Sequence, residues 1–412
     1  MGAFFRQFFR LVADVIFLLT CLIPKDKNTW IFGAWFGEGY TDNSKYLFEY
    51  VSNNHHNIRA IWLTKNRSVC EFVTNRGYEA CMINTPRGIL LKAKSGIWVV
   101  SSGILDLNYR YPWIIGRVKI VELWHGSPLK KLHDDGSEQT ARSHLAHYRL
   151  EVLPFNEKLN EKFCSGDLYI AASEEVRDKI ALEFRVPLNM VKITGYPRTD
   201  AFFKPDKEQP PITNDLHDLK KSNIVGIYMP TVRGDGQTSI HFLIGDLKNL
   251  QEKLAELSVV LFIKLHFFHL NELDSLVGKF DNIRFITEAD INGDIYTLLP
   301  DTDFLITDYS SVYFDYLLLN KPIIFAPFDI ERYIAVDRGM HYKYEEVTPG
   351  PKARNWDELI VCIGEISKRV GTVTSERDPY ERERNRVSCI FNTYSDGNSS
   401  RRVYEAIVPS TE

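Results

Sequence analysis

The sequence has no excess of positive charge, because its 50 Lys and Arg side chains are outnumbered by 54 Asp and Glu, for a net charge of -4. A protein that holds nucleic acid along its backbone needs a basic surface that releases counterions. The composition therefore argues against nucleic acid as a partner, and any phosphate must be bound by a few local cations.

Cysteine is also sparse, with 6 residues in a chain of 412. None of them forms a C-x-x-C pair, and no Cys/His cluster has the spacing of zinc ligands. A chain of this length and cysteine density does not depend on a disulfide scaffold. We therefore expect free thiols in a reducing cytoplasm.

Several catalytic motifs are absent as well. The sequence has no G-x-x-x-x-G-K-[ST] loop, which excludes a P-loop NTPase, and it has neither a G-x-S-x-G elbow nor an H-E-x-x-H helix. Residues 33–39 are rich in glycine but do not form the dinucleotide-binding fingerprint. What remains is a composition typical of globular proteins, at 44% hydrophobic and 25% charged residues, long enough for two or three domains.

Residues 1–24 are the one strongly apolar stretch, and Pro24 closes it. A helix that spans a bilayer needs about 20 apolar residues, and this stretch reaches that length only by including Arg6, Arg10 and Asp14. Pairs of phenylalanines beside the two arginines favour a helix that lies in the headgroup region. We expect a membrane-associating helix, the alternative being a helix packed on the protein's own core.

After this stretch, short apolar runs alternate with polar helical segments, which is typical of a doubly wound α/β sheet. The predicted strands are 30–33, 59–63, 97–101, 119–124, 168–172, 191–194, 224–229, 259–265, 283–287, 304–307 and 322–325. The predicted helices include 43–52, 68–75, 174–184 and 242–257, the last being the longest. Residues 204–223, rich in proline and charge, predict a linker. The predicted parts are a membrane-associating segment at 1–24, α/β domains at 25–205 and 222–380, and a C-terminal helix at 381–412.

Polar residues that follow these strands are candidate site residues, because open α/β sheets bind ligands at the carboxyl ends of their strands. His125 follows the strand at 119–124, and Gly126 allows a tight turn before a helix-like start at Ser127 and Pro128. A histidine in this position can act as a general base near neutral pH. A histidine that only hydrogen-bonds the turn is an equally open alternative.

Ser310 and Ser311 follow the strand at 304–307 and precede an apolar helical segment, 312–319. Their hydroxyls and the free backbone N–H groups predict an anion site at a helix N-terminus, with ordinary helix capping as the alternative. Cations follow other strands of the second half, namely Arg233, Lys264, His266 and Arg338. Four cations around one anion site suit a diphosphate better than a single carboxylate.

In chain order, these motifs resemble the CDP-glycerol glycerophosphotransferases, the teichoic-acid primases and polymerases and their capsule relatives. The resemblance rests on Asp42-Asn43 with Lys45-Tyr46, His125-Gly126 with Pro128 and Lys130, Gly195 with Pro197-Arg198 and Asp200, Pro230-Thr231 with Arg233, Lys264 with His266, Asp308-Tyr309-Ser310-Ser311 with Asp315, Lys321-Pro322, Asp329 with Tyr333, Arg338-Gly339 and Pro349-Gly350-Pro351. Two positions depart from the family pattern, since Val232 stands where tryptophan is frequent and Phe267 where proline is usual. The cations beside both positions are retained.

The resemblance implies a GT-B fold, with two Rossmann-like domains facing a central cleft, the first on the acceptor side and the second binding the donor. It implies that His125 and His266 are catalytic. The implied donor-binding residues are Thr231, Arg233, Lys264, Asp308, Ser310, Ser311 and Arg338, and further cleft candidates are Gly126, Lys130 and Asp329. No cofactor is certain; a divalent metal is allowed, although no carboxylate cluster demands one, and Asp308 and Asp329 are its plausible ligands.

The implied substrates are CDP-glycerol or a related CDP-polyol and a lipid-linked polymer acceptor, at the cytoplasmic face of the cell membrane. The acceptor hydroxyl would attack the β-phosphorus and expel CMP, His125 would take the hydroxyl proton, and His266 would hold the diphosphate. A GT-B glycosyltransferase or sugar-nucleotide epimerase remains an alternative. A non-catalytic nucleotide-binding membrane protein is a more remote one.

Overall fold

The computed structural model describes residue 15 and residues 19–108, 118–131, 166–204, 210–231, 246–265, 278–336, 339–370 and 378–408. These residues form two compact units. The first lies within Met1–His125, His133–Asp200 and Asp396–Glu412, and the second within Gly126–Leu132 and Ala201–Ser395. The chain therefore returns to the first unit at its C-terminal end, and the segment directly after His125 belongs to the second unit.

The strands and helices are numbered along the described part of the chain. The strands are β1 (Asp26–Phe32), β2 (Arg59–Thr64), β3 (Ala80–Met82), β4 (Ser95–Val100), β5 (Lys119–Glu122), β6 (Leu168–Ala171), β7 (Val191–Ile193), β8 (Ile224–Met229), β9 (Val259–Ile263), β10 (Ile283–Phe285), β11 (Phe304–Thr307) and β12 (Ile323–Phe325). The helices are α1 (Asp42–Asn54), α2 (Arg67–Asn75), α3 (Pro86–Lys94), α4 (Leu105–Asn108), α5 (Glu174–Phe184), α6 (Ile212–Leu219), α7 (Leu247–Glu256), α8 (Val312–Tyr316), α9 (Ile330–Val336), α10 (Tyr344–Val347), α11 (Trp356–Val370), α12 (Glu381–Phe391) and α13 (Ser399–Ile407). Short 3-10 turns cover Trp35–Gly37, Leu188–Met190, Pro197–Phe202, Ile295–Thr297, Leu299–Asp301 and Leu317–Leu319.

The first unit is built on a seven-stranded parallel sheet with the strand order β3-β2-β1-β4-β5-β6-β7. Every residue of β4 is buried, which explains the apolar run at its residues 97–100, because strands covered on both faces need no polar side. Helix α13 packs against α1. There the Tyr404 ring stacks on His55, with ring centroids 3.5 Å apart, and on Trp30 at 5.9 Å.

The second unit contains a five-stranded parallel sheet with the order β10-β9-β8-β11-β12. Its core joins the sheet to α7 and α11 through fully buried side chains such as Leu261, Ile306 and Leu359. Gly226 lies against Phe304 so closely that an added Cβ would be 2.2 Å from the ring. The central strands β8 and β11 therefore depend on a glycine at this position.

The alternation of strands and helices confirms the predicted α/β class, and each predicted strand matches an observed one to within a few residues at its ends. The prediction missed β3, whose three residues give too short a pattern. It also read 204–223 as a linker, whereas α6 forms there and buries Leu216. Within 381–412 the structure has two helices where the sequence predicts one, and Gly397, at φ 64°, lies between them.

Two further predicted helices, at 242–257 and within 1–24, lie partly outside the described part of the chain. Of the predicted helix at 242–257, residues 242–245 lie outside the described residues, and α11, with 15 residues, is longer than α7, with 10. No helix in the described part of the chain is long and apolar enough to cross a membrane. Most of the predicted membrane-associating segment, residues 1–14 and 16–18, lies outside that part.

Candidate active site

His125 follows β5 in a tight turn of the first unit. Trp124 adopts a left-handed φ of 53° and Gly126 a φ of 141°; for a bulky residue such as Trp124 this conformation costs about 1–3 kcal/mol and persists only where neighbours enforce it. Here Glu122 Oε1 accepts a hydrogen bond from the Trp124 N–H at 3.0 Å, and Asn43 Nδ2 donates to the Trp124 carbonyl at 2.7 Å. The turn is therefore held on both sides of the strained residue.

The imidazole of His125 has a defined partner. Its Nδ1 atom lies 3.3 Å from the carbonyl oxygen of Ser101. Because a carbonyl can only accept, this contact requires the hydrogen on Nδ1 and leaves the lone pair of the neutral ring on Nε2. The rings of Trp124 and Trp35 flank the imidazole, with centroids 4.0 and 5.8 Å away. This is the tautomer that a general base acting through Nε2 requires.

The loop that carries the Ser101 carbonyl is fixed by a buried carboxyl group, that of Asp106. Its Oδ2 accepts the N–H groups of Ser101 at 2.9 Å and Ser102 at 2.7 Å, and its Oδ1 accepts that of Phe36 at 2.7 Å. Burial raises the pKa of Asp106 to about 7, although these three N–H groups oppose the shift. Asp106 thus connects the Ser101 loop to the turn that contains Trp35.

Glu122 is a second buried carboxyl beside the same loop. Burial raises its pKa well above the ordinary value, and the charge of Asp106 adds to the shift, while the N–H groups of Trp124 and Gly103 oppose it. Neither Asp106 nor Glu122 was among the site residues predicted from the sequence. For Glu122 a signal was present, because an acidic side chain in the apolar run at 119–124 has to be buried when the strand is.

A buried ion pair also contacts the turn. Arg198 Nη1 donates to Asp42 Oδ1 at 2.9 Å and to the carbonyl oxygen of His125 at 2.9 Å. The side chains of Arg198 and Asp42 are only 4% and 5% exposed. Both residues lie in motifs that carried the family resemblance, but no site role was predicted for them.

In the second unit, four candidate residues follow the carboxyl ends of strands. Thr231 follows β8, Lys264 follows β9, Asp308 follows β11 and Asp329 follows β12. Since these strands are parallel neighbours, their carboxyl ends lie along one edge of the sheet. The structure therefore brings these four predicted residues to the same edge.

Asp308 ties two of these strand ends together. Its Oδ1 accepts the backbone N–H of Thr231 at 2.8 Å and that of Tyr309 at 2.5 Å. The hydroxyl of Tyr344 donates to the Asp308 carbonyl at 2.8 Å. Asp308 thus fixes the backbone at Thr231 and is itself held from behind.

Asp329 and Lys130 are linked through a pair of tyrosines. The Tyr309 hydroxyl donates to Asp329 Oδ1 at 3.0 Å, and the Tyr309 ring stacks on Tyr333 with centroids 4.0 Å apart. The Lys130 ammonium lies 5.6 Å from the centroid of Tyr333, within range of a cation–π interaction. Lys130 also forms an antiparallel bridge with Met340. Two candidates that are far apart in sequence therefore share one aromatic support.

The serines lie at the start of a helix that is shorter than predicted. Helix α8 spans Val312–Tyr316 and continues as a 3-10 turn at Leu317–Leu319. Ser310 Oγ accepts the N–H of Val312 at 3.5 Å, a long hydrogen bond, whereas the side chain of Ser311, the N-cap, makes no capping bond. Of the two serines, only Ser310 thus makes the capping contact that was the alternative to an anion site, and that contact is long.

Lys264 forms an ion pair with Glu288, a residue that was not among the predicted site residues. Its Nζ lies 2.6 Å from Glu288 Oε1. The side chain of Lys264 is 13% exposed, while that of Glu288 is 49% exposed. A phosphate bound by Lys264 would have to displace or share this carboxylate.

Arg233, His266 and Arg338, three of the predicted residues, lie outside the described residues. Among the described ones, no three His, Cys, Asp or Glu side chains are grouped to hold a metal ion. The carboxylates of Asp308 and Asp329 each accept hydrogen bonds from the protein itself. The donor set of Asp308 and Asp329 does not form a metal cage.

The family of this chain is established by its similarity to known proteins. The model of a family described as CDP-Glycerol:Poly(glycerophosphate) glycerophosphotransferase matches residues 15–409. The chain belongs to this family. The resemblance inferred from the motifs is thereby confirmed, and the chain is an enzyme of the glycerophosphotransferase family.

Two curated relatives differ in how much of their own length this chain covers. The chain is 26% identical over 424 residues to the teichoic acid glycerol-phosphate transferase of Staphylococcus aureus, covering 97% of this chain and 98% of that protein. It is 26% identical over 362 residues to the teichoic acid poly(glycerol phosphate) polymerase of Bacillus subtilis, covering 85% of this chain. That alignment spans only 46% of the polymerase, so the chain covers about half of the longer relative.

Among solved structures, this chain matches that of the wall teichoic acid polymerase TagF, with a TM-score of 0.72 and 23% identity. The match covers 99% of this chain and 97% of the other. This likeness establishes the fold, an α/β architecture of the GT-B type with two parallel sheets.

Proposed function

We propose that this enzyme transfers glycerol phosphate from CDP-glycerol to a hydroxyl group of a lipid-linked or polymer acceptor, with release of CMP. The product would be a teichoic-acid or capsule-type polymer of the bacterial cell surface. The observation that carries the proposal is the arrangement of His125, whose Nδ1 faces the Ser101 carbonyl at 3.3 Å in a chain of this family. That arrangement provides the proton acceptor that an attacking hydroxyl needs.

The choice of glycerol over ribitol is supported by the description of the family, which names CDP-glycerol and poly(glycerophosphate). Two relatives that align over 98% of their own length, from Staphylococcus aureus and Bacillus spizizenii, are a glycerol-phosphate transferase and a poly(glycerol phosphate) polymerase. Ribitol-phosphate polymerases align over 37% to 48% of theirs, and two further poly(glycerol phosphate) polymerases over 45% and 46%. A variant of the polymerase TagF has also been studied after soaking with CDPG.

In the proposed reaction, the acceptor hydroxyl gives its proton to Nε2 of His125 while its oxygen attacks the β-phosphorus. The bond from that phosphorus to the bridging oxygen breaks, and the electron pair leaves with CMP. A phosphate leaving group has a second pKa near about 6 and departs with little protonation. The imidazolium that forms keeps its Nδ1–H on the Ser101 carbonyl, 3.3 Å away, and lies beside the indoles of Trp124 and Trp35.

We propose that the donor lies at the carboxyl edge of the second sheet. Ser310, Ser311 and the hydroxyl of Thr231 would hydrogen-bond phosphate oxygens, and Lys264 would exchange Glu288 for the diphosphate. Asp308 would act through the backbone of Thr231, whose N–H it binds at 2.8 Å. His266, Arg233 and Arg338 keep the roles that the resemblance implies, namely binding the diphosphate and neutralising the charge that develops on CMP.

We further propose that the protein is peripheral at the cytoplasmic face of the membrane, with residues 1–24 as its membrane-associating segment. A lipid-linked acceptor is confined to that surface, so an interfacial helix would keep the enzyme near its substrate. Sedimentation with anionic lipid vesicles of the full chain and of a chain lacking residues 1–18 checks this proposal. Equal binding of both forms would contradict it.

The function is tested with the purified full chain and a lipid-linked acceptor, offered in turn CDP-glycerol, CDP-ribitol and a UDP-sugar. Mass spectrometry of the acceptor is the measurement, because each donor adds a different mass and the chain length appears in the same spectrum. We expect additions of glycerol phosphate with equimolar CMP. Addition of a sugar, with no CMP released from either CDP-polyol, would reject the proposal in favour of a glycosyltransferase.

A further inference from the structure

We propose that the buried ion pair of Arg198 and Asp42 is a positioning device for His125, which keeps the hydrogen of the imidazole on Nδ1 and the lone pair on Nε2. Neither residue touches the reacting atoms in the proposed mechanism. The inference rests on the proposed base role of His125 and extends it to two residues, Arg198 and Asp42, that lie 73 and 83 positions away in sequence.

One atom of Arg198 donates hydrogen bonds both to Asp42 and to the backbone of His125. Arg198 Nη1 is 2.9 Å from both Asp42 Oδ1 and the carbonyl oxygen of His125. The two side chains are only 4% and 5% exposed, so the pair is removed from water. In such a buried environment a charge-assisted hydrogen bond is strong, and leaving one partner unpaired is costly. The carbonyl of His125 is therefore fixed by a cation that is itself fixed.

The ion pair also links two positions of strained backbone, at Asp42 and at Trp124. Asp42 has a left-handed φ of 63° at the start of α1, and Trp124 has a φ of 53° before His125. Asn43 connects them, since its Oδ1 accepts the backbone N–H of Arg198 at 3.2 Å and its Nδ2 donates to the Trp124 carbonyl at 2.7 Å. Such strain persists only where several contacts over-determine it. Loss of one contact should let the turn relax.

The contact of the His125 imidazole depends on the position of the turn. The ring reaches the Ser101 carbonyl at 3.3 Å, near the long end for a hydrogen bond. A contact of this length is sensitive to small movements of the turn. If the His125 peptide rotates, Nδ1 leaves the carbonyl, and the hydrogen is no longer confined to Nδ1. Molecules with the hydrogen on Nε2 cannot accept a proton there.

Lysine is a poor substitute at position 198 for a geometric reason. The planar guanidinium serves a carboxylate and a carbonyl at the same time, in fixed directions, whereas an ammonium on a flexible stem does not hold that geometry. Arg198→Lys therefore keeps the buried positive charge but loosens the contact to His125. This makes it the most informative variant, with Asp42→Asn as a nearly isosteric second one.

The chain offers a matched control in the same unit. Arg402 binds the carboxylate of Asp396 at 2.9 Å and also donates to the carbonyl oxygen of Thr194 at 2.8 Å. It bridges a carboxylate and a backbone carbonyl just as Arg198 does, but the carbonyl belongs to a residue that has no role in the proposed chemistry. Arg402→Lys should therefore leave His125 unchanged.

The test is long-range ¹H–¹⁵N NMR of the full chain labelled in its histidine rings, with the His125 signals assigned by their loss in His125→Gln. We expect the pure Nδ1–H tautomer in the wild type and in Arg402→Lys, and signals of both tautomers in Arg198→Lys and Asp42→Asn. A wild-type ring with its hydrogen on Nε2 would overturn the inference without any variant. So would a wild-type tautomer pattern in either folded variant.

Kinetics separate failure of this inference from failure of the proposed function. Arg198→Lys and Asp42→Asn should lower kcat by about 10- to 100-fold, as misplacement of a catalytic group does, with the donor KM unchanged. If instead His125→Ala retains full transfer, the base role is wrong, while the NMR result still decides whether the ion pair sets the tautomer. If kcat is unchanged in both ion-pair variants while His125→Ala is inactive, only the positioning role is rejected.

Discussion

The Nδ1 atom of His125 lies 3.3 Å from the carbonyl oxygen of Ser101. This single contact assigns the hydrogen of the neutral ring to Nδ1, and the residues around it explain why the ring stays there. Asp106 holds the serine from one side, and Arg198 holds the His125 carbonyl from the other. The candidate base is thus supported by contacts with buried charged groups rather than by the turn alone.

The first prediction concerns Asp106 and pH. Its pKa is raised from 3.8 in the unfolded chain to about 7 by burial, so the stability that it contributes is complete below about pH 4 and is lost as the pH rises to about 7. In urea denaturation, the free energy of unfolding of the wild type minus that of Asp106→Asn should therefore fall between pH 4 and 7, by up to about 1.4 kcal/mol per pH unit. A difference that is constant or grows over this range would contradict the assignment.

A control for this measurement has the opposite sign. Arg402 lowers the pKa of Asp396 through hydrogen bonds to its carboxylate. Stability contributed by such a group is present at neutral pH and is lost as the pH falls through the lowered pKa. The difference between the wild type and Asp396→Asn should therefore be flat above about pH 5.

The second prediction compares two aspartates at opposite edges of the second sheet. Asp308 binds the Thr231 N–H at 2.8 Å at the carboxyl ends of β8 and β11, and Asp303 binds the Val225 N–H at 2.8 Å at their amino ends. Asp308→Ala should weaken binding of CDP-glycerol by about tenfold, since it releases the backbone that positions the Thr231 hydroxyl against the donor. Asp303→Ala removes a similar bond and should change stability only.

Isothermal titration with CDP-glycerol distinguishes the two aspartates. Equal donor affinities in both variants, at or near the wild-type value, would remove Asp308 and Thr231 from the donor site. The free energy of unfolding, measured in parallel, shows whether each variant is folded at the temperature of the titration.

The third prediction concerns Lys264 and its partner Glu288, whose side-chain atoms are 2.6 Å apart. If the ammonium exchanges this carboxylate for the donor diphosphate, Glu288→Gln should strengthen donor binding by up to about fivefold at low salt, and less at high salt. Lys264→Ala should weaken it. Glu256→Gln, which frees Lys253 from an exposed pair at 2.9 Å, is the matched control.

For this pair, the contradicting outcome is an unchanged donor affinity in both Glu288→Gln and Lys264→Ala. The pair would then be a structural contact at the end of β9, and the donor would be bound without it.

The sequence predicted the fold class and the main candidate because both depend on local patterns. An apolar run that ends in Trp-His-Gly locates His125 at a strand end, and the runs at 224–229 and 304–307 match β8 and β11 in full. The same reasoning places Thr231 and Asp308 at one sheet edge. The three-residue strand β3 falls below the length at which such a pattern is distinctive.

Contacts between distant residues were beyond the sequence. Asp42 and Arg198 are 156 positions apart, and nothing local indicates that one binds the other or that Arg198 also binds His125. Nor does a sequence distinguish a carboxyl buried under a loop, such as Asp106, from a solvated one. The pairing of Lys264 with Glu288 was missed for the same reason, because it depends on the neighbouring ends of β9 and β10.

The central claim is that His125 is the base in transfer of glycerol phosphate. It is tested most directly by comparing the wild type with His125→Ala, measuring single-turnover transfer from CDP-glycerol to a lipid-linked acceptor and the affinity for CDP-glycerol on the same samples. The account predicts that transfer falls by about 100- to 10,000-fold, the usual contribution of a general base, while donor affinity stays within about twofold. Wild-type transfer in His125→Ala would contradict it.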